Sequence, residues 1–340
     1  MHEAQVDDAR LALATALAAA DAGAVVANHA RVTSIEFVGD EAHLAIWGPE
    51  GGTLVRARSV VNASGPWLDA VRRLEDPAAS PIARLSKGVH LALAVEEPWQ
   101  ASLSVHLDDE HNLFAEPWHG MLLVGVTDTP YDDDAAGLTV TDADVDLLLG
   151  LQARVLPAHL LRRERIRARS AGLRVLPRGE GSTATARRDN VVAVGRGGMV
   201  SIGGGKLTTH RLEAMDALGR LPPRVRPRRR PPSRKTIVGL GSAAASGGAP
   251  SEVAAHLAAT YGDGVGAVLA HGRSGSAAFE RIHPDGPDVW AQVRHAIASE
   301  LAMTVDDVTH RRTSLWWRGL DDEPTKERIA RALLPTPVRT

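Results

Sequence analysis

The sequence predicts a mixed α/β (α+β) fold with a helical C-terminal region. Two segments of alternating apolar and polar residues, 31–38 and 42–47, flank Gly39-Asp40, a pattern typical of a β-hairpin. Apolar residues at helical spacing recur elsewhere, and two such segments, 252–270 and 289–303, follow one another near the C-terminus. Strands in the first two thirds and helices at the end favour two or three separate domains.

The N-terminal residues predict a helix followed by short strands. Asp7 precedes an alanine- and leucine-rich stretch, 10–22, that ends at Gly23, as expected for a capped helix. After it the pattern predicts a short strand at Val25 and Val26, a strand over 54–61 and a helix over 67–74.

The middle of the chain predicts further strands and a capped helix. Segments 112–116 and 121–126 flank a second predicted hairpin turn, within strands over 85–126. Thr141, with Asp144 three residues later, resembles a capping box for a helix over 141–156. Further on, the pattern predicts a strand over 191–194, a glycine-rich loop over 197–205 and a helix over 207–218.

Composition limits the classes of protein to consider. The 340 residues carry 44% hydrophobic and 24% charged residues and a formal net charge of -2, typical of a globular protein and contrary to a general nucleic-acid binder. The absence of cysteine excludes disulfides and thiolate ligands, and no metal site is predicted. The longest apolar stretch, 11–20, is too short to span a bilayer. The sequence therefore predicts a cytoplasmic protein, with any membrane contact peripheral.

A basic, proline-rich segment marks the clearest domain boundary. Residues 222–235 contain seven basic residues, five prolines and no acidic residue. This composition predicts an extended, solvated linker, with a contact to nucleic acid or anionic lipid as the less favoured alternative.

The segment 203–211, GGGKLTTHR, is the strongest local signal of chemistry. Glycines that open a helix let the backbone approach a ligand, and the free N–H groups of the first turn suit an anion or a ring that becomes anionic. A plain glycine turn before a helix is the alternative.

The same segment resembles the GGKLTTYR signature of FAD-dependent, quinone-linked glycerol-3-phosphate dehydrogenases. Further stretches match that family in the same order: VDDARL (6–11), VNASGPW (61–67), KGVH (87–90), GVTD (125–128), SAGLR (170–174), VRH (293–295), AMTVDDV (302–308) and RRT (311–313). Two positions depart from the family pattern, since His210 stands for a tyrosine and Val175 for a proline.

The resemblance implies an FAD/NAD(P)-binding flavoprotein fold. The implied domains are the remainder of the FAD-binding domain (1–80), an antiparallel substrate-binding cap (81–165), the C-terminal part of the FAD-binding domain (166–221), the linker (222–235) and a small helical domain (236–340). Flavoproteins of this class hold the FAD pyrophosphate in an N-terminal βαβ unit with a G-x-G-x-x-G loop. No such unit precedes Val6, so the fold is expected to lack its first βαβ unit, as in an N-terminally truncated enzyme.

The resemblance also implies catalytic and substrate-binding residues. Arg174 is expected to bind the substrate phosphate, because a guanidinium group matches phosphate oxygens. His90 is expected to take the hydroxyl proton or hold the hydroxyl, and Lys206 to stabilise the ring or the substrate oxygen. Lys87, Thr127 and Asp128 are expected to contact the substrate. For each residue a purely structural role is the alternative.

A second set of residues is expected to bind the cofactor. It consists of Val25, Asn62, Ala63, Gly65, Gly204, Gly205, Lys206, Leu207 and Thr208. Val25 is expected to bracket the adenine through its backbone, and the 204–208 segment to meet the flavin ring.

The implied reaction is the FAD-dependent oxidation of sn-glycerol 3-phosphate to dihydroxyacetone phosphate, with electrons passed to a quinone or another acceptor. Two alternatives stay open: a non-catalytic truncated remnant or half of a split protein, and an amino-acid oxidase-like flavoenzyme. The implied partners are glycerol 3-phosphate and the electron acceptor, with no nucleic acid. A homodimer and a peripheral contact with the inner face of the cell membrane are further options.

Overall fold

A computed structural model describes residues 5–186, 188–227, 249–274 and 276–334. The described residues form two compact units. The first, called the sheet unit, comprises residues 29–117 and those from 122 to 227. The second, called the helical unit, comprises the N-terminal residues to Asn28, residues 118–121 and those from 249 onward. Residues 228–235 of the predicted linker lie outside the described residues.

The strands are, in chain order, β1 (Arg31–Val38), β2 (Glu41–Gly48), β3 (Gly51–Ala57), β4 (Val61–Asn62), β5 (Ala83–Leu93), β6 (Leu103–His106), β7 (Asn112–Trp118), β8 (Met121–Gly125), β9 (Thr129–Tyr131), β10 (Ile166–Pro177), β11 (Asn190–Val194) and β12 (Val200–Gly204). The α-helices are α1 (Asp8–Asp21), α2 (Leu68–Glu75), α3 (Asp142–Gln152), α4 (His210–Arg220), α5 (Ser251–Tyr261), α6 (Val265–Ala270), α7 (Trp290–Ser299), α8 (Val305–Arg311), α9 (Leu315–Arg318) and α10 (Glu323–Leu333). Short 3₁₀ turns include Gly65–Trp67 before α2 and Leu207–Thr209 before α4.

The first sheet of the sheet unit is the antiparallel meander β1-β2-β3. Val38 pairs with Glu41 across the two-residue turn, which confirms the hairpin predicted around Gly39-Asp40. Buried Ile35 and Leu44 from these strands pack with Met199 in a small apolar core. The predicted strand over 54–61 is interrupted, because β3 ends at Ala57 and pairing resumes only at β4.

The largest sheet has the order β10-β5-β8-β7-β6, and β9 pairs with β5 near its start. The long strands β5 and β10 are antiparallel along nearly their whole length. Helix α3 covers one face through Val145 and Leu148, which are fully buried against this sheet. The predicted capping box is confirmed, because Thr141 and Asp144 exchange the reciprocal side-chain to backbone hydrogen bonds that define it.

The third sheet has the order β11-β12-β4, with β4 parallel to β12. Strand β12 corrects the prediction of a loop over 197–205, because Val200 and Ser201 are buried and pair with both neighbouring strands. The glycines that suggested a loop extend through the end of this strand into the turn before α4. Helix α4 also continues through Gly219 to Arg220, two residues past the predicted end at 218.

The helical unit joins α1 to the C-terminal helices. The Arg10 guanidinium donates to Glu300 at 2.7 Å and lies 4.4 Å from the centre of the Tyr261 ring. The single helix predicted over 252–270 is two helices, since Gly262 adopts a left-handed backbone (φ 53°) between them. The helix predicted over 289–303 ends at Ser299.

Val25 and Val26 do not form the predicted strand. They lie in an irregular segment after α1, and the Val25 side chain is 97% exposed. Two adjacent valines have strand propensity, but no strand in the described part of the chain pairs with them. Across the described residues, no helix has both the length and the apolar character needed to cross a bilayer.

Candidate flavin and substrate site

A cleft of about 1030 Å³ opens in the sheet unit where the end of β12 meets the start of α4. Eight residues predicted for the cofactor or the substrate line it: Ala63, Gly65, Arg174, Gly204, Gly205, Lys206, Leu207 and Thr208. These residues come from three segments of the chain, and the first lies more than 100 positions before the other two. The fold therefore brings the three predicted motifs, around 63, 174 and 205, to one cavity.

The glycine turn before α4 requires glycine for two reasons. Gly204 and Gly205 have φ angles of 77° and 82°, which side chains rarely tolerate. A Cβ atom at Gly204 would also lie 2.8 Å from the carbonyl oxygen of Asp189. The turn therefore packs closely against neighbouring backbone, and its glycines line the cleft without side chains that would fill it.

Glu213, which the sequence reasoning missed, holds this turn. Its carboxylate accepts hydrogen bonds from the Lys206 backbone N–H at 3.0 Å and from the Thr209 hydroxyl. The Lys206 side chain is exposed at the cleft and makes no hydrogen bond within the described residues. A glutamate in the first turn of a helix preceded by glycines is a signal that could have identified it.

The opposite wall of the cleft begins at β4. Gly65 has a φ angle of 57°, and no atom lies within 4 Å of where its Cβ would be, so the cleft is open there. Asn62 is buried, and its side chain donates to the carbonyl of Leu68 and the Ser201 hydroxyl. Asn62 therefore shapes this wall from within and does not line the cleft.

Arg174 projects from β10 at the edge of the cleft. Its Nη1 donates to the carbonyl oxygen of Thr127 at 3.2 Å and lies 3.4 Å from Asp128 Oδ2. Burial lowers the pKa of the guanidinium, the Asp128 charge opposes this shift, and the Arg188 charge adds to it. Arg188 also lines the cleft, so two guanidinium groups are present there.

His90 lies on β5, on the same face as Ser86 and Gly88, because alternate strand residues share a face. Ser86 is paired with Arg174 across the sheet, so His90 belongs to the Arg174 side. The imidazole contacts the Phe114 ring at 5.3 Å between centres and makes no hydrogen bond within the described residues. Burial, with a smaller effect of the Arg174 charge, lowers the pKa of His90 to about 4. The imidazole is therefore neutral at pH 7.

The fold does not bring the Lys87 side chain to Arg174 and His90. Lys87 lies on the other face of β5, is 7% exposed, and donates to Asp144 Oδ2 at 2.6 Å. Burial raises the pKa of Asp144, but the hydrogen bonds from Lys87 and Thr141 outweigh it and lower the pKa overall. Thr127 is also buried, and its hydroxyl accepts the backbone N–H of Val89 at 3.0 Å. Both side chains are held by internal contacts.

Val25 was predicted for the site but lies elsewhere, and Arg188 lines the cleft but was not predicted. Val25 belongs to the helical unit and does not line the cleft. Arg188 was not selected from the sequence, because it stands in a run of charged residues with no motif spacing of its own.

Comparison with known families identifies the family to which the chain belongs. Residues 1–211 match the family of FAD dependent oxidoreductases, and residues 229–332 match the family described as the C-terminal domain of alpha-glycerophosphate oxidase. The chain belongs to the FAD-dependent oxidoreductase family, which confirms the prediction of a flavoprotein fold with a helical C-terminal region.

The curated relatives narrow the resemblance. The chain is 30% identical over 328 residues to glycerol-3-phosphate dehydrogenase 2 of Mycobacterium tuberculosis, covering 92% of this chain and 56% of that protein. It is 31% identical over 347 residues to the human mitochondrial glycerol-3-phosphate dehydrogenase, covering 92% of this chain and 47% of that protein. The chain therefore spans about half the length of the curated relatives it matches, and the resemblance predicted from its motifs is confirmed.

A solved structure has the same fold. The glycerol-3-phosphate dehydrogenase from Bacillus halodurans, complexed with FAD, superposes with a TM-score of 0.78 at 25% identity. The match covers 97% of this chain and 72% of that chain.

Proposed function

We propose that this chain takes part in the FAD-dependent oxidation of sn-glycerol 3-phosphate to dihydroxyacetone phosphate. The observation that carries the proposal is a glycine turn and a half-buried arginine that line one cleft, with a half-buried, neutral histidine on the Arg174 side of the same sheet. A phosphorylated secondary alcohol needs an anchor for its phosphate, a base for its hydroxyl proton and a hydride acceptor.

The residues of the cleft fit a flavin. Gly65 has open space where a side chain would stand, Gly204 and Gly205 line the cleft, and the volume of about 1030 Å³ is large enough for a flat ring system. When bound, FAD supplies the hydride acceptor. Ala63 and Gly65 would hold it from β4, and Gly205, Lys206 and the residues after it would hold it from the start of α4.

The substrate phosphate is assigned to Arg174. Its side chain is 22% exposed, so the guanidinium group reaches solvent at the cleft while the backbone of Arg174 is fixed in β10. Arg188 adds a second positive charge in the same cavity. Two guanidinium groups suit a phosphate better than the single carboxylate of an amino acid, which disfavours the amino-acid oxidase alternative.

The hydroxyl proton is assigned to His90. A base must be neutral before it can accept a proton, and burial keeps the His90 imidazole neutral at physiological pH. The imidazole has no hydrogen-bond partner within the described residues, so its nitrogen lone pair is available. Lys206 would place a positive charge near the substrate oxygen that becomes the carbonyl oxygen of the product.

The test is anaerobic reduction of the purified, flavin-loaded protein by glycerol 3-phosphate, followed as loss of flavin absorbance. We expect rapid loss with glycerol 3-phosphate and none with glycerol, which lacks the phosphate. Reduction by amino acids alone would favour an oxidase of that class. A protein that neither retains flavin nor responds to any of these substrates would favour the non-catalytic alternative.

We further propose a quinone as the electron acceptor, at the inner face of the cell membrane. The support is the resemblance to quinone-linked dehydrogenases. Reoxidation of the reduced protein by a soluble quinone analogue, with or without anionic vesicles, tests both points. Reoxidation by oxygen alone would contradict the choice of acceptor.

A further inference from the structure

The carboxylate of Asp128 lies beside the Arg174 guanidinium, although Arg174 is the proposed phosphate anchor. We propose that Asp128 and Ser86 are positioning residues that fix the orientation of Arg174, and that neither contacts the substrate. This inference rests on the proposed function of the cleft and changes the role expected for Asp128 from its motif.

Both carboxylate oxygens of Asp128 are engaged. Oδ1 accepts the Ser86 hydroxyl at 2.5 Å, and Oδ2 lies 3.4 Å from Arg174 Nη1. The Asp128 side chain is 10% exposed and Ser86 is fully buried. The pair is thus an internal support for the guanidinium group.

Within the described residues, the hydrogen bonds of Arg174 all come from one nitrogen. Nη1 meets Asp128, the Ser86 hydroxyl at 3.5 Å and the Thr127 carbonyl. Within the described residues, Nε and Nη2 make no hydrogen bond. Nε and Nη2 form the edge of a guanidinium group that can donate to two oxygens side by side. Because Asp128, Ser86 and Thr127 engage only Nη1, this edge remains for a phosphate.

Gly88 provides the space for this arrangement. A Cβ atom at Gly88 would lie 2.5 Å from Arg174 Nη2 and 2.8 Å from the central carbon of the guanidinium. The guanidinium therefore lies flat over the β5 backbone at this glycine. The ion pair with Asp128 and the space left by Gly88 together set the position of the guanidinium group.

Charge also argues against direct contact between Asp128 and the substrate. A carboxylate that touched a phosphate would repel it, whereas a carboxylate behind the guanidinium restrains the cation without meeting the anion. Asp128 does not line the cleft, while Arg174 does. Asp128 should consequently act only through Arg174.

A double-mutant cycle tests this dependence in the flavin-loaded protein. The four proteins are the unsubstituted chain, Arg174→Ala, Asp128→Ala and the double variant. The readouts are KM and kcat for glycerol 3-phosphate and, independently of flavin, the Kd of inorganic phosphate by calorimetry. Arg174→Ala should raise both KM and the phosphate Kd by about 10- to 150-fold. Asp128→Ala should raise them by about 10-fold and leave kcat nearly unchanged, because a misplaced anchor loses affinity.

The decisive comparison is the effect of Asp128→Ala in the Arg174→Ala background. A positioning residue has no further effect there, whereas a substrate contact would weaken binding again by the same factor and overturn the proposal. An Asp128→Ala variant with normal constants would overturn it as well. If Arg174→Ala leaves both constants unchanged, or phosphate binds to none of the proteins, the proposed function fails first and the positioning role fails with it.

Two further variants separate positioning from loss of folding. Asp128→Asn keeps an oxygen that can accept from Arg174 and should recover most of the affinity, whereas a general packing defect would not be rescued. Asp132→Ala, four residues away on the exposed surface, is the matched control and should leave all constants unchanged. A loss in the control equal to that of Asp128→Ala would contradict a specific role.

Discussion

The two faces of β5 differ although their residues alternate along one strand. Ser86, Gly88 and His90 face the Arg174 side, where the imidazole has no hydrogen bond within the described residues. Lys87 and Val89 face α3, where every side chain is packed or paired. Burial is similar on the two faces, so burial alone does not separate function from stability.

The difference lies in whether polar groups are satisfied. The Lys87 ammonium is matched by Asp144 at 2.6 Å, which completes a structural pair. On the other face the bidentate edge of Arg174 and the His90 nitrogens are unmatched within the described residues, although polar groups in a buried setting are normally paired. Unmatched polar groups are therefore a better guide than burial to a binding site here.

The largest effect is expected from His90→Ala. It should lower kcat for glycerol 3-phosphate by about 100- to 10,000-fold, because a positioned base typically contributes that much. Turnover is measured with an artificial electron acceptor, after flavin content is matched by absorbance. The exposed His106, also in the large sheet, is the control, and His106→Ala should leave kcat unchanged. Normal turnover in His90→Ala would make His90 a core residue like its neighbours on the α3 face.

Lys87→Ala should act on stability and leave substrate affinity alone. Removing one partner of a nearly buried ion pair strands the other, so the free energy of unfolding should fall by about 3 kcal/mol. Denaturant unfolding measures it, with the exposed Lys206→Ala as a control that should change stability by about 0.5 kcal/mol or less. Equal losses in both variants would remove the contrast between the two faces.

Stability should also depend on pH through His90. Between pH 6.5 and about 4 the unfolded chain binds a proton that the folded imidazole does not, so stability falls as the pH falls through this range. The drop in pKa from 6.5 to about 4 corresponds to about 3 kcal/mol, present above pH 6.5 and lost by pH 4. Urea unfolding from pH 7 to 4 should show a weaker dependence in His90→Gln. Identical pH dependence in both proteins would mean that His90 is accessible to water.

The smallest effect is expected from Gly88→Ala. Its Cβ would lie 2.5 Å from Arg174 Nη2, so the guanidinium must shift. Such a shift costs about 0.5–1.5 kcal/mol, which raises KM by about 2- to 12-fold. Gly172, which pairs with Gly88 across the sheet, has no atom within 4 Å of its Cβ position and is the matched control. An equal rise in Gly172→Ala would assign the effect to the strands and not to Arg174.

Much of the fold could be predicted because its signals are local. The hairpin at Gly39-Asp40 and the capping box at Thr141 depend on neighbouring residues and are confirmed. The errors occurred where distant contacts decide the structure. Glycines at the end of β12 suggested a loop, but pairing with β4 and β11 makes it a strand. Val25 and Val26 suggested a strand, and no partner strand exists for them among the described residues.

The sequence by itself determined the family and those local elements that depend on neighbouring residues, and it predicted residues for the site. The alternation of side chains along β5 also implied that Lys87 and His90 lie on opposite faces, because residues an odd number of positions apart along a strand point to opposite faces. Only the tertiary structure decided which face of β5 meets Arg174, that Asp144 pairs with Lys87, and that Glu213 and Arg188 belong beside the glycine turn. The physical reason is that these contacts join residues distant in the chain, whose meeting depends on sheet order and strand register.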